Sequence, residues 1–305
     1  MSNAVYKIVN EKIIKMIEEG NVTPWQKPWS SAITPKNLVT KYPYRGVNTW
    51  MLLSSPFKSP YWVTWNQVQK LGGSVKSTES KNYEIVVFWK ILKYNKFDPK
   101  KQEDDEKSFP LLRYYRVYNL EQVELPDDVR AKLVPDIVSR DVNPIAEAER
   151  IVAGYKDAPV IEYGHIKAAY SPTFDKVMMP DQDRFVSDEK YYATLFHELI
   201  HSTGAESRLK RFKASDFTLF GDATYSKEEL VAEMGASYLC AEAGIESRTI
   251  ENAAAYIKGW LSALKSDDGR MIVFAASKAQ KAADYILSRQ ENEEKSDDVE
   301  MSDAA

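Results

Sequence analysis

The stretch Ser187-Asp-Glu-Lys-Tyr-Tyr-Ala-Thr-Leu-Phe-His197-Glu198-Leu199-Ile200-His201-Ser-Thr-Gly204 decides how this chain is to be read. Ser187 is placed to cap a helix, and Asp188 and Glu189 fall in its positive first turn. Leu195, Leu199 and Ile200 supply an apolar face, and Gly204 sits where such a helix would stop. Residues i and i+4 of a helix share a face, so His197 and His201 can reach one metal ion and Glu198 can reach a water on it. This H-E-x-x-H pattern names a metal, a nucleophile and a base within five residues.

A catalytic zinc site takes three protein ligands and leaves one position open. Downstream, Ser226-Lys227-Glu228-Glu229-Leu230-Val231-Ala232-Glu233 reads as a second helix on which Glu229 and Glu233 share a face. Glu229 is the preferred third ligand, with Glu233 orienting an imidazole through its second nitrogen. If Glu229 instead closes a capping box with Ser226, Glu233 becomes the ligand. His165, in an expected strand, is a third possibility, and Glu228 should point away into solvent. Zinc held by these residues would bring the pKa of its water toward ~7. Glu198 would take the proton as an acyl carbon is attacked and pass it to the leaving amine. One zinc per chain is expected, though the affinity order does not exclude another divalent metal.

The rest of the chain divides by composition. Residues 1–120 carry 19 Lys and Arg against 10 Asp and Glu, a balance of +9, which leaves −13 on the remainder of a chain whose net charge is −4. A basic first half on an acidic chain suits a polyanion partner. Six of the seven tryptophans precede residue 90, among them Trp29, Trp62 and Trp65. Aromatic faces beside cations serve single strands, whose bases stack while phosphates pair. Trp62 and Trp65 flank a strand-to-helix switch with a Thr64–Gln67 capping box and a Gly72-Gly73 stop, and read as packing residues. Lys27, Trp29, Lys36, Tyr42, Tyr44, Arg45, Arg113 and Arg116 are the candidate DNA contacts.

A chain of 305 residues suits two domains. The division expected is 1–125 for a mixed α/β single-stranded-DNA-binding domain, 126–150 for a junction, 151–288 for a mainly helical metal domain with a small sheet, and 289–305 for a disordered acidic tail. The fold class is therefore α+β. Helices are expected over 5–19, 47–54, 65–71, 187–203, 226–243, 249–265 and 275–288, with a charged hairpin loop at 95–108. One cysteine, Cys240, in an apolar run, the lack of a signal peptide pattern and the absence of any span-length apolar run point to a cytoplasmic protein without a membrane partner.

With these residues in view, the chain resembles the ArdC-type antirestriction proteins. The resemblance runs through Pro24-Trp-Gln-Lys-Pro-Trp29, Tyr44-Arg-Gly-Val-Asn48, Tyr61-Trp-Val-Thr-Trp-Asn-Gln-Val-Gln-Lys-Leu-Gly-Gly73, Val87-Phe-Trp-Lys90 and Tyr115-Arg-Val-Tyr-Asn-Leu-Glu-Gln122. It continues through Tyr191–Gly204, Ser207-Arg-Leu-Lys-Arg211 and Glu228–Ala236. It implies a protein of a plasmid or mobile element, with an N-terminal single-stranded-DNA-binding domain and a C-terminal zincin-like metallopeptidase domain, protecting incoming DNA during conjugation. His197, Glu198 and His201 carry over, as does Glu229. Two functions stay open: a peptidase acting on an unidentified protein, and a protein that coats DNA or blocks a restriction enzyme while the metal braces the fold. A structural zinc site is usually closed by four protein ligands, and three can be named here, which favours the first.

Overall fold

A computed structural model of the chain describes residues 2–18, 34–53, 55–98, 103–134, 143–213, 223–245, 264–265 and 270–289. It is a two-domain α+β protein, as expected. In the N-terminal part, α1 (Ser2–Glu18) is followed by β1 (Lys36–Asn37), α2 (Val47–Leu53), β2 (Tyr61–Thr64), α3 (Trp65–Lys70), β3 (Ser74–Val75), β4 (Glu84–Asp98), β5 (Glu103–Asn119) and β6 (Val123–Glu124). The main sheet has the order β1-β2-β5-β4, with β1 parallel to β2 and the other pairs antiparallel. Strands β3 and β6 form a separate two-stranded ribbon.

Local chemistry sets these elements as read. The Thr64 side chain accepts from the Gln67 amide and the Gln67 side chain returns a bond to the cap, so the strand-to-helix switch is a capping box. Gly72, at φ +72°, ends α3 in the left-handed conformation. The charged stretch 95–108 departs from expectation: it is largely strand, because β4 and β5 continue to Asp98 and from Glu103. Their register sets Asn95 opposite Glu106, Lys96 opposite Asp105 and Asp98 opposite Glu103.

The C-terminal part contains α4 (Asp127–Leu133), α5 (Pro144–Gly154), a three-stranded sheet, and the helices α6 (Asp188–Ser202), α7 (Ala223–Ala243) and α8 (Arg270–Ile286). The sheet has the order β7-β9-β8, with β7 (Val160–Glu162) parallel and β8 (Ala169–Ser171) antiparallel to the central β9 (Lys176–Met178). His165, expected in a strand, lies in the connection between β7 and β8. The helix expected over 249–265 falls mostly outside the described residues, and Lys27, Trp29 and the tail from 290 lie outside them.

One apolar core joins the two parts. Val5, Val9 and Ile13, one stripe of α1, are buried with Trp50 and Met51 of α2 and with Ile272, Ala275, Ala276, Ala279 and Ala283 of α8. The alanine spacing on α8 lets neighbouring backbones approach closely. Polar bonds close the same junction. The Asn10 side chain donates to Leu264 O at 2.8 Å, the Gly46 amide to Gln280 Oε1 at 3.0 Å, and the Tyr238 hydroxyl to Gly46 O at 2.9 Å. Arg45 pairs with the buried Asp284. Among the described residues, no helix is long and apolar enough to cross a membrane.

Candidate metal centre

The metal-site helix begins as its sequence predicts: Ser187 accepts a hydrogen bond from the Lys190 amide and caps α6. Its last two turns, from Leu195 to Ser202, are buried. Helix α7 packs against them at a point of close approach. A side chain on Gly235 would begin 2.7 Å from Ile200 Cδ1 and 2.9 Å from its other two branch carbons, so the absence of a side chain lets the helices cross here. Gly204 has a role unlike the one expected. It is not in the left-handed region; the ring of Phe212 occupies the space its side chain would need.

This crossing brings His197, His201 and Glu229 together, all buried, with their donor atoms within 4.8 Å of one another. The Nε2 atoms of the two histidines lie 3.1 Å apart. Glu229 Oε2 is 3.5 Å from His197 Nε2, and Oε1 is 3.3 Å from His201 Nε2. Ligands bound tetrahedrally at zinc distances would stand about 3.3 Å apart, so this donor set fits a small divalent cation without rearrangement. Helix α7 starts at Ala223, which puts Ser226 inside the helix and removes the capping-box account of Glu229. Glu233 Oε1 lies 3.8 Å from His197 Nδ1, behind the ring and away from the Nε2 cluster. His165 is not part of the group; it lies 3.8 Å from Glu162 at the surface.

Glu228 overturns its reading as a solvated residue. It is buried, 3.6 Å from His201 Nδ1, and receives two hydrogen bonds from Arg211, at 2.6 and 3.1 Å. Nothing in the Glu228-Glu229 pair marked both residues as inward; the signal was the basic run ending at Arg211, which supplies a buried countercharge. Glu198 is buried too, and its Oε2 accepts the Tyr170 amide of β8 at 2.7 Å. Behind that strand, Tyr170 Oη donates to Asp175 at 2.7 Å, and Arg208 clasps both oxygens of Asp175 at 2.8 and 2.9 Å while reaching Ser202 O at 3.1 Å.

The electrostatics attract cations. Burial opposes charge on His201, but Glu229 and Glu228 outweigh it and push its pKa up to about 10. His197 is shifted upward against burial by Glu229. Burial alone would raise the carboxyl of Glu229, yet the two histidines hold it far below the usual carboxylate range. Burial dominates at Glu233, whose pKa is raised.

The candidate nucleic-acid residues are sorted differently from their sequence reading. Tyr44 is 5% exposed, packed with Leu52, Trp62 and Val117, which removes it from the contact set. Arg45 is committed to Asp284 at the domain junction. Tyr42 is 44% exposed, and so is Trp65, which the sequence had assigned to packing. Trp65 begins its helix, so only its neighbour Trp62 faces inward from the strand. Arg113 and Arg116, three apart on β5, project to opposite faces of the sheet. Arg116 lies over the Tyr83 ring at 4.5 Å, and both Tyr83 and Trp65 pack on Tyr118, with ring centroids 6.5 and 6.1 Å apart. Lys36 and Lys41 both approach the Tyr61 ring, at 5.0 and 4.7 Å. Burial, and after it the neighbouring Lys36, lower the pKa of Lys41. Tyr61 and Tyr118 belong to one small core, so these aromatic and cationic groups border the same part of the domain.

An H-E-x-x-H helix crossed by a helix that brings a buried glutamate to both histidines defines a zincin-like metallopeptidase domain, and the sequence model of that family, MPTase-PolyVal, matches residues 146–278. The N-terminal domain of the anti-restriction factor ArdC matches residues 3–118. The chain belongs to the ArdC family of antirestriction proteins. It is 34% identical to the antirestriction ArdC protein from the R388 plasmid, whose metal-free crystal structure superposes with a TM-score of 0.72 over 93% of this chain and 98% of that one. The Mn(II)-bound structure of the R388 protein gives a TM-score of 0.70 at 32% identity, over 95% and 99% of the two chains. An uncharacterized protein of Sinorhizobium fredii (strain NBRC 101917 / NGR234), y4eC, is 33% identical, over 96% of this chain and 94% of its own length. The DNA primase TraC of Escherichia coli is 32% identical over 92% of this chain, which spans only 27% of that protein.

Proposed function

We propose that this chain is an antirestriction protein of a plasmid or other mobile element that binds single-stranded DNA with residues 1–125. In this account residues 151–288 carry a zinc-dependent metallopeptidase site and 126–150 form the junction. His197, His201 and Glu229 hold the metal, and Glu233 braces His197. When bound, the metal supplies Lewis acidity toward a water and an acyl oxygen. Glu198 is the base: it takes the proton of the attacking water and delivers it to the leaving amine. The Tyr170 amide fixes Oε2 of that carboxylate and leaves Oε1 for the proton.

The observation that carries this reading is the convergence of three buried donors from α6 and α7 at separations of 3.1 to 3.5 Å. The Mn(II) held by the R388 protein supports a divalent ion, and a set of two His and one Glu is an established zinc set. DNA engagement is supported by exposed Trp65 and Tyr42, by Arg116 over the Tyr83 ring and by Lys36 and Lys41 over the Tyr61 ring. The role in conjugation is supported by the plasmid origin of the R388 relative.

Elemental analysis of wild-type and His201→Ala protein purified without added metal tests the site: about one zinc per wild-type chain, lost in the variant, is the expected result. Glu198→Gln then separates peptidase from binder. Protection of incoming DNA that survives this substitution in cells would sink the peptidase account and leave the DNA-binding account intact.

A further inference from the structure

The basic run Ser207-Arg-Leu-Lys-Arg211 is not used by the chemistry above, yet the side chain of its last residue is almost wholly withdrawn from solvent. Arg211 leaves the end of α6 and turns back onto it. Its amide donates to Gly204 O at 2.9 Å, Lys210 takes the left-handed conformation (φ 53°), and Phe212 packs its ring over Gly204. From there the guanidinium makes four hydrogen bonds to two elements. On α6 it donates to Ile200 O at 2.8 Å, and just past that helix to Thr203 Oγ1 at 2.6 Å. On α7 it donates through Nη2 to Glu228 Oε1 at 2.6 Å and through Nε to Oε2 at 3.1 Å. The same Oε1 lies 3.6 Å from His201 Nδ1, on the side of the ring opposite the Nε2 that meets His197 and Glu229.

We infer that Arg211 and Glu228 are the positioning pair for His201: Arg211 fixes the Glu228 carboxylate, and that carboxylate fixes the Nδ1 edge of the ring so that Nε2 faces the metal. This rests on the metal-site reading above. A fork of planar N–H donors matched to both oxygens of a carboxylate restricts its rotation as a single ammonium cannot. A carboxylate that accepts the distal N–H of a ligand imidazole sets its tautomer and its angle. Arg211 therefore acts at one remove, through Glu228, and its bond to Ile200 O ties the same guanidinium to the backbone one residue before the ligand.

The experiment is zinc affinity by competition with a chromogenic chelator for wild type, Glu228→Gln, Arg211→Met, Arg211→Lys and the Glu228→Gln/Arg211→Met double variant, each checked for an unchanged near-ultraviolet circular dichroism spectrum. Both Glu228→Gln and Arg211→Met should lose about 10- to 100-fold in affinity, the double variant no more than the worse single one, and Arg211→Lys should recover little. Two-bond 15N–1H spectra of the zinc-loaded protein give an independent readout, since the chain has three histidines: the Nδ1 proton of His201 should shift in Glu228→Gln while that of His197 does not. Losses that add in the double variant, or zinc affinity and a His201 resonance unmoved by Glu228→Gln, would overturn the pair and leave the metal site standing. Wild-type protein that takes up no zinc would overturn the metal site itself, and this inference with it.

Discussion

Gly235→Ala tests whether the crossing of α6 and α7 sets the metal centre. The added methyl carbon would start 2.7 to 2.9 Å from three carbons of Ile200, whereas carbons rest at about 3.5–4.0 Å. The shortfall is about 1 Å. Ile200 is fully buried and branched at Cβ, so it has no other rotamer to retreat into, and the helices must part. Overpacking of this kind costs about 1–3 kcal/mol, offset by about 1 kcal/mol of helix propensity gained on replacing glycine. The net loss, of the order of 1 kcal/mol, lowers the melting temperature by about 1–2 °C for a protein of this size. The effect on metal should be larger, because Ile200 adjoins His201 and Glu229 lies six residues, about 9 Å of helix, from the point of contact. A site that needs its ligands within about 0.5 Å should lose at least about tenfold in zinc affinity. Ile200→Val removes Cδ1, the nearest of the three carbons, so the double variant should bind zinc better than Gly235→Ala alone. Thermal unfolding and chelator competition read both quantities. A Gly235→Ala protein that is more stable by the propensity gain, with unchanged zinc affinity, would refute the tight crossing.

Further outcomes follow from other parts of the molecule. Trp65→Ala should weaken binding of a single-stranded oligonucleotide by about 1–3 kcal/mol, the worth of one stacked base, while Tyr44→Phe, changed at a buried position, should leave it unaltered; fluorescence anisotropy at two salt concentrations distinguishes them. Arg45→Ala removes the cation facing the buried Asp284 carboxylate, which keeps the Gln280 amide at 3.2 Å, and should destabilise by about 2 kcal/mol in urea unfolding, below the range of about 3–5 kcal/mol for a fully buried pair because Arg45 is itself 43% exposed. Arg208 holds the Asp175 carboxyl below its usual range, so this clasp stabilises the fold above the unfolded-state value of about 4 and loses that contribution as pH falls through the depressed one. Asp175→Asn should therefore be less stable than wild type at neutral pH and should converge with it in acid, as followed by circular dichroism.

What was legible beforehand was what local chemistry decides. Ser187 capping α6, Thr64 with Gln67 opening α3 and Gly72 closing it depend on neighbours within a few residues, and each is found as read. The histidine pair is a matter of helical period, so its geometry follows once the helix exists. The failures lie where tertiary contacts decide. Glu228 and Glu229 are adjacent and chemically identical, and only the return of the chain at Arg211 makes both of them inward. Tyr44 sits in a segment with the residues of a surface loop, but that segment folds back onto β2 and β5. Gly204 was read from its place after a helix, while its cause, the ring of Phe212, comes from eight residues further on.

The shared core between α1, α2 and α8 has a consequence for how these modules can be inherited and handled. Severing the chain between its two halves would bare Val5, Val9, Ile13, Trp50 and Met51 on one fragment and the alanine face of α8 on the other, leaving two sticky pieces in place of two domains. Tyr238, on the helix that carries Glu229, holds the backbone of Gly46, four residues from exposed Tyr42. Selection would then act on the pair as a single cassette, and the match of 92% of this chain to 27% of the much longer TraC is the pattern such an indivisible block would leave when it is grafted into another protein.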